Sequence, residues 1–316
     1  MDHEKHLRIQ HKLLREIGPI IAAALTEPDV VEIALNPDGQ IWVEKMGSGF
    51  ECRGALSPEA AESLMGTIAS CLHTTVTREN PILEGELPID GSRFEGLLPP
   101  VVAKPTFTIR RKASRVFTLE DYVRQGVMSE RQQTILVAAV RERQNILIVG
   151  GTGSGKTTLT NAIIHEITTQ NPDHRLVTIE DTSELQCSAR NAVALHTSDT
   201  VDMLRLLRAT MRLKPDRILV GETRGAEALA LLKAWNTGHP GGVATVHANN
   251  GLGGLIRMEQ LVGEASPSPM QQLIAAAVNF VVVIAKAPGV GRHIPEILCV
   301  HGYDPAAQQY QYDRLS

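Results

Sequence analysis

The chain has 316 residues, of which 43% are hydrophobic and 3% aromatic, and its formal net charge is −4 at pH 7. The acidic balance and the scarcity of aromatic side chains argue against a surface that binds nucleic acid by charge or by stacking, so no strong nucleic-acid signal is present. The chain is long for one hydrophobic core, which favours two domains.

The cysteine spacing and the apolar runs of the sequence bear on metal binding and on the cellular location. Its four cysteines are scattered without a C-x-x-C pair, which indicates reduced thiols and neither a zinc site nor a disulfide framework. No apolar run has the length of a membrane span, and the first residues lack the pattern of a signal peptide. A cytoplasmic location is expected.

Residues 1–112 are predicted to form a small α+β domain at the amino terminus. A helix is indicated near its start by apolar residues at helical spacing, namely Leu7, Leu14, Ile17, Ile21 and Leu25. Residues 30–35 and 40–44 flank the turn Asn36-Pro37-Asp38-Gly39, which predicts a β-hairpin. A second helix is predicted to begin at Ser57, which is followed by a proline. Strands are predicted at 93–98 and 106–110.

Residues 113–128 lack a clear period and are predicted to be a linker. Beyond them, residues 129–316 are predicted to be an α/β domain. Ser129 caps its first helix, which runs to about Arg143, with Gln132 completing a capping box. Short apolar runs then alternate with helical segments, which argues for a mostly parallel sheet with its site at the carboxyl ends of the strands. These predicted strands cover 145–149, 175–180, 193–196, 217–220, 243–247, 279–286 and 297–303.

A glycine-rich segment lies between the first of these strands and the next helix and fits the pattern G-x-x-x-x-G-K-[ST]. Its residues are Gly150, Gly151, Thr152, Gly153, Ser154, Gly155, Lys156 and Thr157, followed by Thr158. Such a turn points backbone N–H groups inward and ends at a helix N-terminus, so it can cradle phosphates. Lys156 is expected to reach the β- and γ-phosphates and Thr157 to hold Mg²⁺. The segment predicts a site for ATP with Mg²⁺.

Further polar clusters follow three of the predicted strands. Glu180 belongs to an acidic segment that could orient water or hold the water shell of a metal, although a plain acidic turn is an equal alternative. Glu222 is the only carboxylate at the tip of its strand, because Gly221 stands where many ATPases of this kind carry a metal-holding aspartate. We expect Glu222 to polarise the attacking water or to orient the Mg²⁺ shell. His247 could sense the γ-phosphate, although a hydrogen-bonded core histidine is the usual case.

An arginine finger must approach phosphates from across a domain or subunit boundary, which favours Arg93 and Arg110 of the first domain. Arg205, Arg208 and Arg212 share one helical face, but arginines in such a position are most often solvated.

Taken together, these residues resemble the secretion-superfamily traffic ATPases, which power type IV secretion, conjugation, type II secretion and type IV pili. The resemblance covers nearly the whole chain and depends on four segments in order: the glycine-rich loop, the acidic segment 180–184, the segment Gly221-Glu222-Thr223-Arg224 and the segment ending at His247. A Gly-Glu pair at the second carboxylate position is normal for that family. The lack of a tetracysteine module and of a long amino-terminal extension favours the conjugation and type IV secretion branch.

The resemblance implies a RecA-like ATPase domain, a ring-shaped homohexamer and docking at the cytoplasmic face of an inner-membrane channel with its other components. It implies that nucleotide lies between the two domains, that hydrolysis changes their angle, and that Arg93 and Arg110 approach the phosphates. A type II secretion or type IV pilus motor is the nearest alternative. A DNA translocase and a non-hydrolysing nucleotide switch are alternatives of another class.

Overall fold

The computed structural model describes residues 12–45, 48–112, 116–198, 200–287 and 289–315. The chain divides into two compact units, Met1–Ser114 and Arg115–Ser316. Each has its own hydrophobic core, and each is described by itself.

The first unit contains a six-stranded antiparallel sheet in the order β3-β2-β1-β6-β5-β4. The predicted hairpin is confirmed, because β1 and β2 pair across the turn at 36–39, and the strands predicted at 93–98 and 106–110 are β5 and β6. The strands are β1 (Val30–Leu35), β2 (Gln40–Lys45), β3 (Phe50–Ala55), β4 (Ile82–Glu86), β5 (Arg93–Leu97) and β6 (Thr106–Arg110).

Two helices of the first unit are α1 (Gly18–Thr26) and α2 (Pro58–Cys71), and residues 12–16 are also helical. Ser57 caps α2 as predicted, since its side chain accepts a hydrogen bond from the Ala60 N–H. The predicted apolar stripe is wrong at Leu14, which is 52% exposed, whereas Leu13 is fully buried. Leu14 and Leu13 lie three and four residues before Ile17, so both have helical spacing to it, and packing in the core selects Leu13. Leu7 lies outside the described residues.

The second unit contains an eight-stranded sheet in the order β14-β13-β12-β7-β11-β10-β8-β9. The strands from β12 to β9 in this order are all parallel, and β13 and β14 add an antiparallel edge, so the predicted mostly parallel sheet is confirmed. The strands are β7 (Ile146–Val149), β8 (Leu176–Glu180), β9 (Ala192–His196), β10 (Arg217–Val220), β11 (Val243–Val246), β12 (Phe280–Ala287), β13 (Gly291–Asp304) and β14 (Gln309–Arg314).

The described helices of the second unit are α3 (Leu119–Arg124), α4 (Glu130–Arg141), α5 (Lys156–Gln170), α6 (Met203–Thr210), α7 (Glu227–Asn236), α8 (Gly251–Ala265) and α9 (Gln271–Ala277). The capping box at Ser129 and Gln132 is present as predicted. Four central strands, β7, β8, β10 and β11, are buried along their whole length, as expected for parallel strands covered on both faces.

The predicted linker at 113–128 differs from the structure. Helix α3 lies within it, and Thr118 and Asp121 form a capping box at its start. Leu119 and Tyr122 are buried in the core of the second unit, so this part of the segment belongs to a packed domain. Six residues are too few to show a helical period, and the box uses aspartate at its third position where the usual pattern has glutamate or glutamine. Residues 113–115 lie outside the described part of the chain.

Parallel pairing places one end of each of four strands at the same edge of the sheet. The carboxyl ends of β7, β8, β10 and β11 lie side by side there, in the order β7-β11-β10-β8. The glycine-rich loop follows β7, and Glu180 is the last residue of β8. Glu222 and His247 come just after β10 and β11. The fold therefore gathers all four predicted segments at one edge.

Candidate functional site

The glycine-rich loop, residues 150–157, connects β7 to α5 and has the backbone that phosphate binding requires. Gly153 and Gly155 have φ values of +69° and +105°, which are strained for any residue with a Cβ. Helix α5 begins at Gly155 without a side-chain cap, and its first turn has no acidic residue. The first N–H groups of the helix and its positive dipole end are therefore available to an anion.

Lys156 is 8% exposed, and its ammonium group lies over the loop. Its Nζ donates hydrogen bonds to the carbonyls of Gly150 and Gly151, at 3.0 Å each, and to Nδ1 of His247 at 3.2 Å. A lysine has donors only, so Nδ1 of His247 is the acceptor. Lys156 therefore connects the loop after β7 to the residue after β11.

The acidic segment contributes two carboxylates with different surroundings. Thr157 Oγ1 donates a hydrogen bond to Glu184 Oε2 at 3.2 Å. The Glu180 carboxylate instead accepts the backbone N–H groups of Glu184 and Leu185, the latter at 3.1 Å from each oxygen. Glu180 is 4% exposed. Glu180 thus holds the turn that presents Glu184 to the threonine predicted to hold the metal.

Asn161 of α5 holds the same turn from the other side. Its Nδ2 donates to the Glu184 carbonyl at 3.1 Å, and its Oδ1 accepts the Gln186 N–H at 2.8 Å. Asn161 is 2% exposed. Helix α5 and the acidic segment are therefore fixed to each other by both backbone and side-chain hydrogen bonds.

Glu222 lies between a histidine and an arginine. Its Oε1 is 2.6 Å from Nε2 of His247, and its Oε2 accepts from Arg224 Nε at 2.8 Å and Nη2 at 2.5 Å. Although Oε1 is buried, no described residue donates a hydrogen bond to it in good geometry. One oxygen is thus fixed by an arginine, and the other is buried against the His247 ring.

Arg224 joins the ends of two strands. Besides Glu222, it contacts Asp181 through Nη1 at 3.2 Å, and Asp181 accepts a hydrogen bond from Thr197 Oγ1 at 3.0 Å. Contact with Glu222 raises the pKa of Arg224 although burial acts in the opposite direction. Arg224 therefore stays charged and sets the orientation of Glu222.

His247 is neutral in this arrangement. Burial lowers its pKa and the nearby Lys156 ammonium adds to this, while Glu222 acts in the opposite direction. Since Nδ1 accepts from Lys156, the ring hydrogen of the neutral form is on Nε2, the atom that faces Glu222. His247 thus contacts both Lys156 and Glu222 as an uncharged ring and links their positions.

The presence of glycine at position 221 has a steric explanation. A Cβ there would lie 3.0 Å from Glu180 Cβ, closer than ordinary side-chain contacts. The Gly221 carbonyl accepts a hydrogen bond from Thr245 Oγ1 at 2.7 Å, and its N–H donates to the Ile179 carbonyl at 2.9 Å. A residue with a side chain, including aspartate, would press on Glu180.

Arg93 and Arg110 belong to the first unit and lie directly opposite each other on the paired strands β5 and β6. Arg110 also faces Glu32 across the β1–β6 pair. They line a cavity of about 410 Å³ on that sheet, together with Glu32, Glu95 and Thr108. Burial raises the pKa of Glu32, which Arg110 counteracts. Two guanidinium groups and two carboxylates therefore share this face of the sheet.

Sequence reasoning gave no role to Asn161 and no individual role to Arg224, and it included Asp181 and Glu184 only as members of the acidic segment. Arg224 stands two residues after Glu222, and this spacing is the one signal that could have drawn attention to it. The roles of Glu184 and Asn161 depend on hydrogen bonds between residues 23 to 27 positions apart, which no local pattern reveals.

The oxygen ligands at Thr157 and Glu184 fit a hard divalent cation. A hydroxyl and a carboxylate that hydrogen-bond each other face the same space, and oxygen ligands are those that Mg²⁺ prefers. Within the described ranges, no group of three or more histidine, cysteine, aspartate and glutamate side chains is placed to hold a metal. A magnesium ion here would therefore take most of its ligands from phosphates and water, as is usual for this ion. In the described part of the chain, no helix is both long and apolar enough to span a membrane.

Comparison with known proteins identifies a matching family and several relatives. The model of the family "Type II/IV secretion system protein" matches residues 16–290. A probable conjugal transfer protein TrbB of Sinorhizobium fredii is 53% identical over 311 residues, which cover 98% of this chain and 95% of that protein. The VirB11 ATPase of the Brucella suis type IV secretion system, solved in complex with sulphate, is 29% identical with a TM-score of 0.51, covering 94% and 96% of the two chains.

A second solved structure shares the fold. The pilus retraction motor PilT with bound ADP has a TM-score of 0.65 at 20% identity, over 88% of this chain and 80% of that one. The family match and the identity to TrbB together show that this chain belongs to the type II/IV secretion system protein family, with relatives in conjugation and type IV secretion.

Proposed function

We propose that this protein is a Mg²⁺-dependent ATPase that powers conjugative transfer or type IV secretion. One observation carries the proposal: Lys156, His247 and Glu222 form a chain of contacts of 3.2 and 2.6 Å at the carboxyl edge of the parallel sheet. It joins a residue suited to hold phosphate to a carboxylate suited to activate water. In this proposal the second unit is a RecA-like domain and the glycine-rich loop is its Walker A motif.

The residues around the phosphates have separate tasks in this proposal. The backbone N–H groups of the loop and of the uncapped start of α5, together with the Lys156 ammonium, bind the triphosphate, because all are donors suited to phosphate oxygens. Thr157 and Glu184 hold Mg²⁺, which neutralises phosphate charge when bound. Glu180 positions Glu184, since its own oxygens accept backbone N–H groups of that turn. These contacts support a positioning role for Glu180 more than a direct one.

Glu222 is the proposed general base. Its Oε2 is fixed by Arg224, and its Oε1 lies against His247 Nε2, so the carboxylate can orient a water molecule and take its proton once His247 moves away from Oε1. His247 links this carboxylate to Lys156, so loss of the Lys156–His247 bond on phosphate binding would also change the contact between His247 and Glu222. That coupling supports His247 as the sensor of the γ-phosphate, a role that needs no proton transfer.

The assembly is inferred from the relatives. A homohexameric ring, in which hydrolysis changes the angle between the two units, would use Arg93 or Arg110 to complete the charge at the phosphates. Such a ring would act at the cytoplasmic face of an inner-membrane channel together with the other components of the apparatus. The high identity to a conjugal transfer protein favours conjugation over a pilus role.

The proposal is tested by ATP turnover per subunit over a wide protein-concentration series, with Lys156→Ala as the blank. Turnover that rises with concentration and reaches a plateau supports a site completed by a neighbouring subunit. Glu222→Gln should retain ATP binding and lose turnover by about 100-fold or more, because an amide cannot accept the proton. Wild-type turnover equal to the Lys156→Ala blank would replace the motor with a nucleotide switch, and normal turnover of Glu222→Gln would remove Glu222 from the mechanism.

A further inference from the structure

Arg292, at the start of β13, lies against the outside of the glycine-rich loop. Its Nη2 is 3.5 Å from the Gly153 carbonyl. Its Cδ and Nε lie 3.2 and 3.3 Å from the place a Cβ on Gly155 would occupy. In the part of the chain that the structure describes, no carboxylate pairs with Arg292, and its side chain is exposed. A cation is therefore placed beside the loop without a charge partner.

The strand register explains why Arg292 reaches the loop. Strand β12 runs parallel to β7 up to the pair Val283 and Val149, and then continues to Ala287 while β7 has ended. The β12–β13 hairpin therefore projects past the edge of the sheet where the loop begins. The Ile284 carbonyl lies so close to Gly150 that a Cβ on this glycine would collide with it. The hairpin is a side wall of the loop.

The backbone near Arg292 is fixed by hydrogen bonds to a neighbouring segment. Ile294, two residues along β13, donates its N–H to the Val127 carbonyl at 2.9 Å and accepts from Gln132 Nε2 at 2.9 Å. Gln132 is 7% exposed. Because both backbone groups of Ile294 are bonded to the segment around α4, the backbone at the start of β13 is held in place beside the loop.

The side of the loop on which Arg292 lies decides which part of a nucleotide it can meet. A phosphate-binding loop turns its N–H groups inward. Arg292 contacts the Gly153 carbonyl, whereas the Gly150 and Gly151 carbonyls accept from Lys156, so the two cations approach the loop at different carbonyls. Phosphates lie inside the loop and at the start of α5, and the nucleoside continues outside it. A planar guanidinium group can stack on the face of a base and attract it electrostatically. Arg292 is thus placed for the nucleoside and not for the phosphates.

We infer that Arg292 binds the purine base of the nucleotide by stacking its guanidinium group on the ring. This inference rests on the proposed function, which requires ATP at the loop, and assigns a residue to the base. The like-charged residue opposite it in the hairpin, Lys286, makes the pair unfavourable on its own, which a bound π-system would relieve.

The test compares a ligand that has the base with one that lacks it. A non-hydrolysable ATP analogue and inorganic tripolyphosphate, each with Mg²⁺, are titrated calorimetrically into the wild-type full chain, Arg292→Ala and Arg292→Lys. Arg141→Ala is the matched control, because Arg141 is an exposed arginine at the end of α4 that pairs with its neighbour Glu142. We expect Arg292→Ala to weaken binding of the analogue about 3- to 10-fold and binding of tripolyphosphate less than twofold.

Arg292→Lys should lie between the wild type and Arg292→Ala, since it keeps the charge and loses the plane. Equal weakening of both ligands would overturn the inference and make Arg292 a residue that only shapes the loop. Unchanged binding of both ligands by both variants would also overturn it. A wild-type chain that binds neither ligand would reject the proposed function itself, which separates that failure from failure at Arg292.

Discussion

Thr157 Oγ1 and Glu184 Oε2 are 3.2 Å apart, so the hydroxyl expected to hold magnesium already shares a hydrogen bond with a carboxylate of the next strand's loop. Glu184 is kept there by Glu180 and Asn161, both almost fully buried. Such support reduces the reorganisation needed when a cation binds. The division of work between the two glutamates, one at the metal and one behind it, leads to the first prediction.

Glu184→Gln should raise the Mg²⁺ concentration needed for half-maximal nucleotide binding by about 10-fold, because a charged ligand or its hydrogen-bonded water is lost. Glu180→Gln should change this concentration less and lower the free energy of unfolding more, since an amide can accept the two N–H groups through one oxygen only. Glu142→Gln, an exposed glutamate at the end of α4, is the control. Magnesium titrations and thermal unfolding of the same four proteins decide it, and a larger Mg²⁺ effect from Glu180→Gln would reverse the assignment.

Arg224 is predicted to act on turnover through Glu222. Arg224→Ala should lower kcat by roughly 10- to 100-fold with little change in KM, because Glu222 loses the two bonds that fix Oε2 while the loop that binds ATP is untouched. Arg224→Lys should recover part of the loss. The comparison is steady-state kinetics against Arg124→Ala, an exposed arginine paired with Asp121. A rise in KM alone would place Arg224 in nucleotide binding.

Much of the fold could be predicted from local pattern, because each segment carried its own signal. The hairpin turn at 36–39 and the capping box at Ser129 are local chemistry that tertiary contacts do not override. Helix α8 was not predicted, since its start, Gly251-Leu252-Gly253-Gly254, has the composition of a loop. Gly254 allows close packing on β7 at Val149, and this reason lies in tertiary contact and not in helix propensity.

The site could be predicted as a set of segments but not as a set of contacts. Strand ends that carry Lys156, Glu222 and His247 must meet once the sheet is parallel, and the structure brings these three together. The choice of Glu184 over Glu180 for Thr157 depends on which carboxylate captures the backbone N–H groups of its own turn. Arg292 lies far along the sequence from the loop and reaches it only because β12 pairs with β7.

The stability of the protein should fall as the pH falls below about 6.5, in part because of His174. Burial lowers the pKa of His174 below the ordinary histidine value, and the neighbouring Arg217 and Arg143 lower it further, while Asp216 and Asp173 act in the opposite direction. The unfolded chain therefore takes up the proton first, so stability is complete above the ordinary histidine pKa and is lost as the pH falls towards the folded value. Burial also lowers the pKa of His247, which gives the same sign.

His174→Asn isolates this contribution, because an asparagine oxygen can replace Nδ1, which accepts from Arg217 Nε at 3.2 Å, and does not titrate. Urea midpoints at about pH 7.5 and 5.5 should differ less in this variant than in the wild type. Part of the difference should remain because His247 still titrates. An unchanged difference between the two pH values would exclude His174 as a source.

Replacement by alanine should have opposite effects on stability at two different glycines of helix α8. A Cβ on Gly254 would lie 2.5 Å from Val149 Cγ2, and Val149 is fully buried and β-branched, so its side chain cannot turn away. Gly254→Ala should therefore destabilise the protein by about 1–3 kcal/mol through overpacking. A Cβ on Gly263 meets nothing within 4 Å, and Gly263→Ala should stabilise the protein by about 0.5–1 kcal/mol because alanine loses less backbone entropy in a helix.

Both variants are compared with the wild type by urea unfolding, and each serves as the control for the other in helix propensity. Val149 immediately precedes the glycine-rich loop, so pressure on it from Gly254→Ala is expected to reach residue 150 and weaken nucleotide binding as well. Gly263→Ala should leave nucleotide binding unchanged. Stabilisation by both variants would show that helix propensity, and not the contact with β7, decides the outcome at Gly254, and destabilisation by Gly263→Ala would contradict the propensity argument.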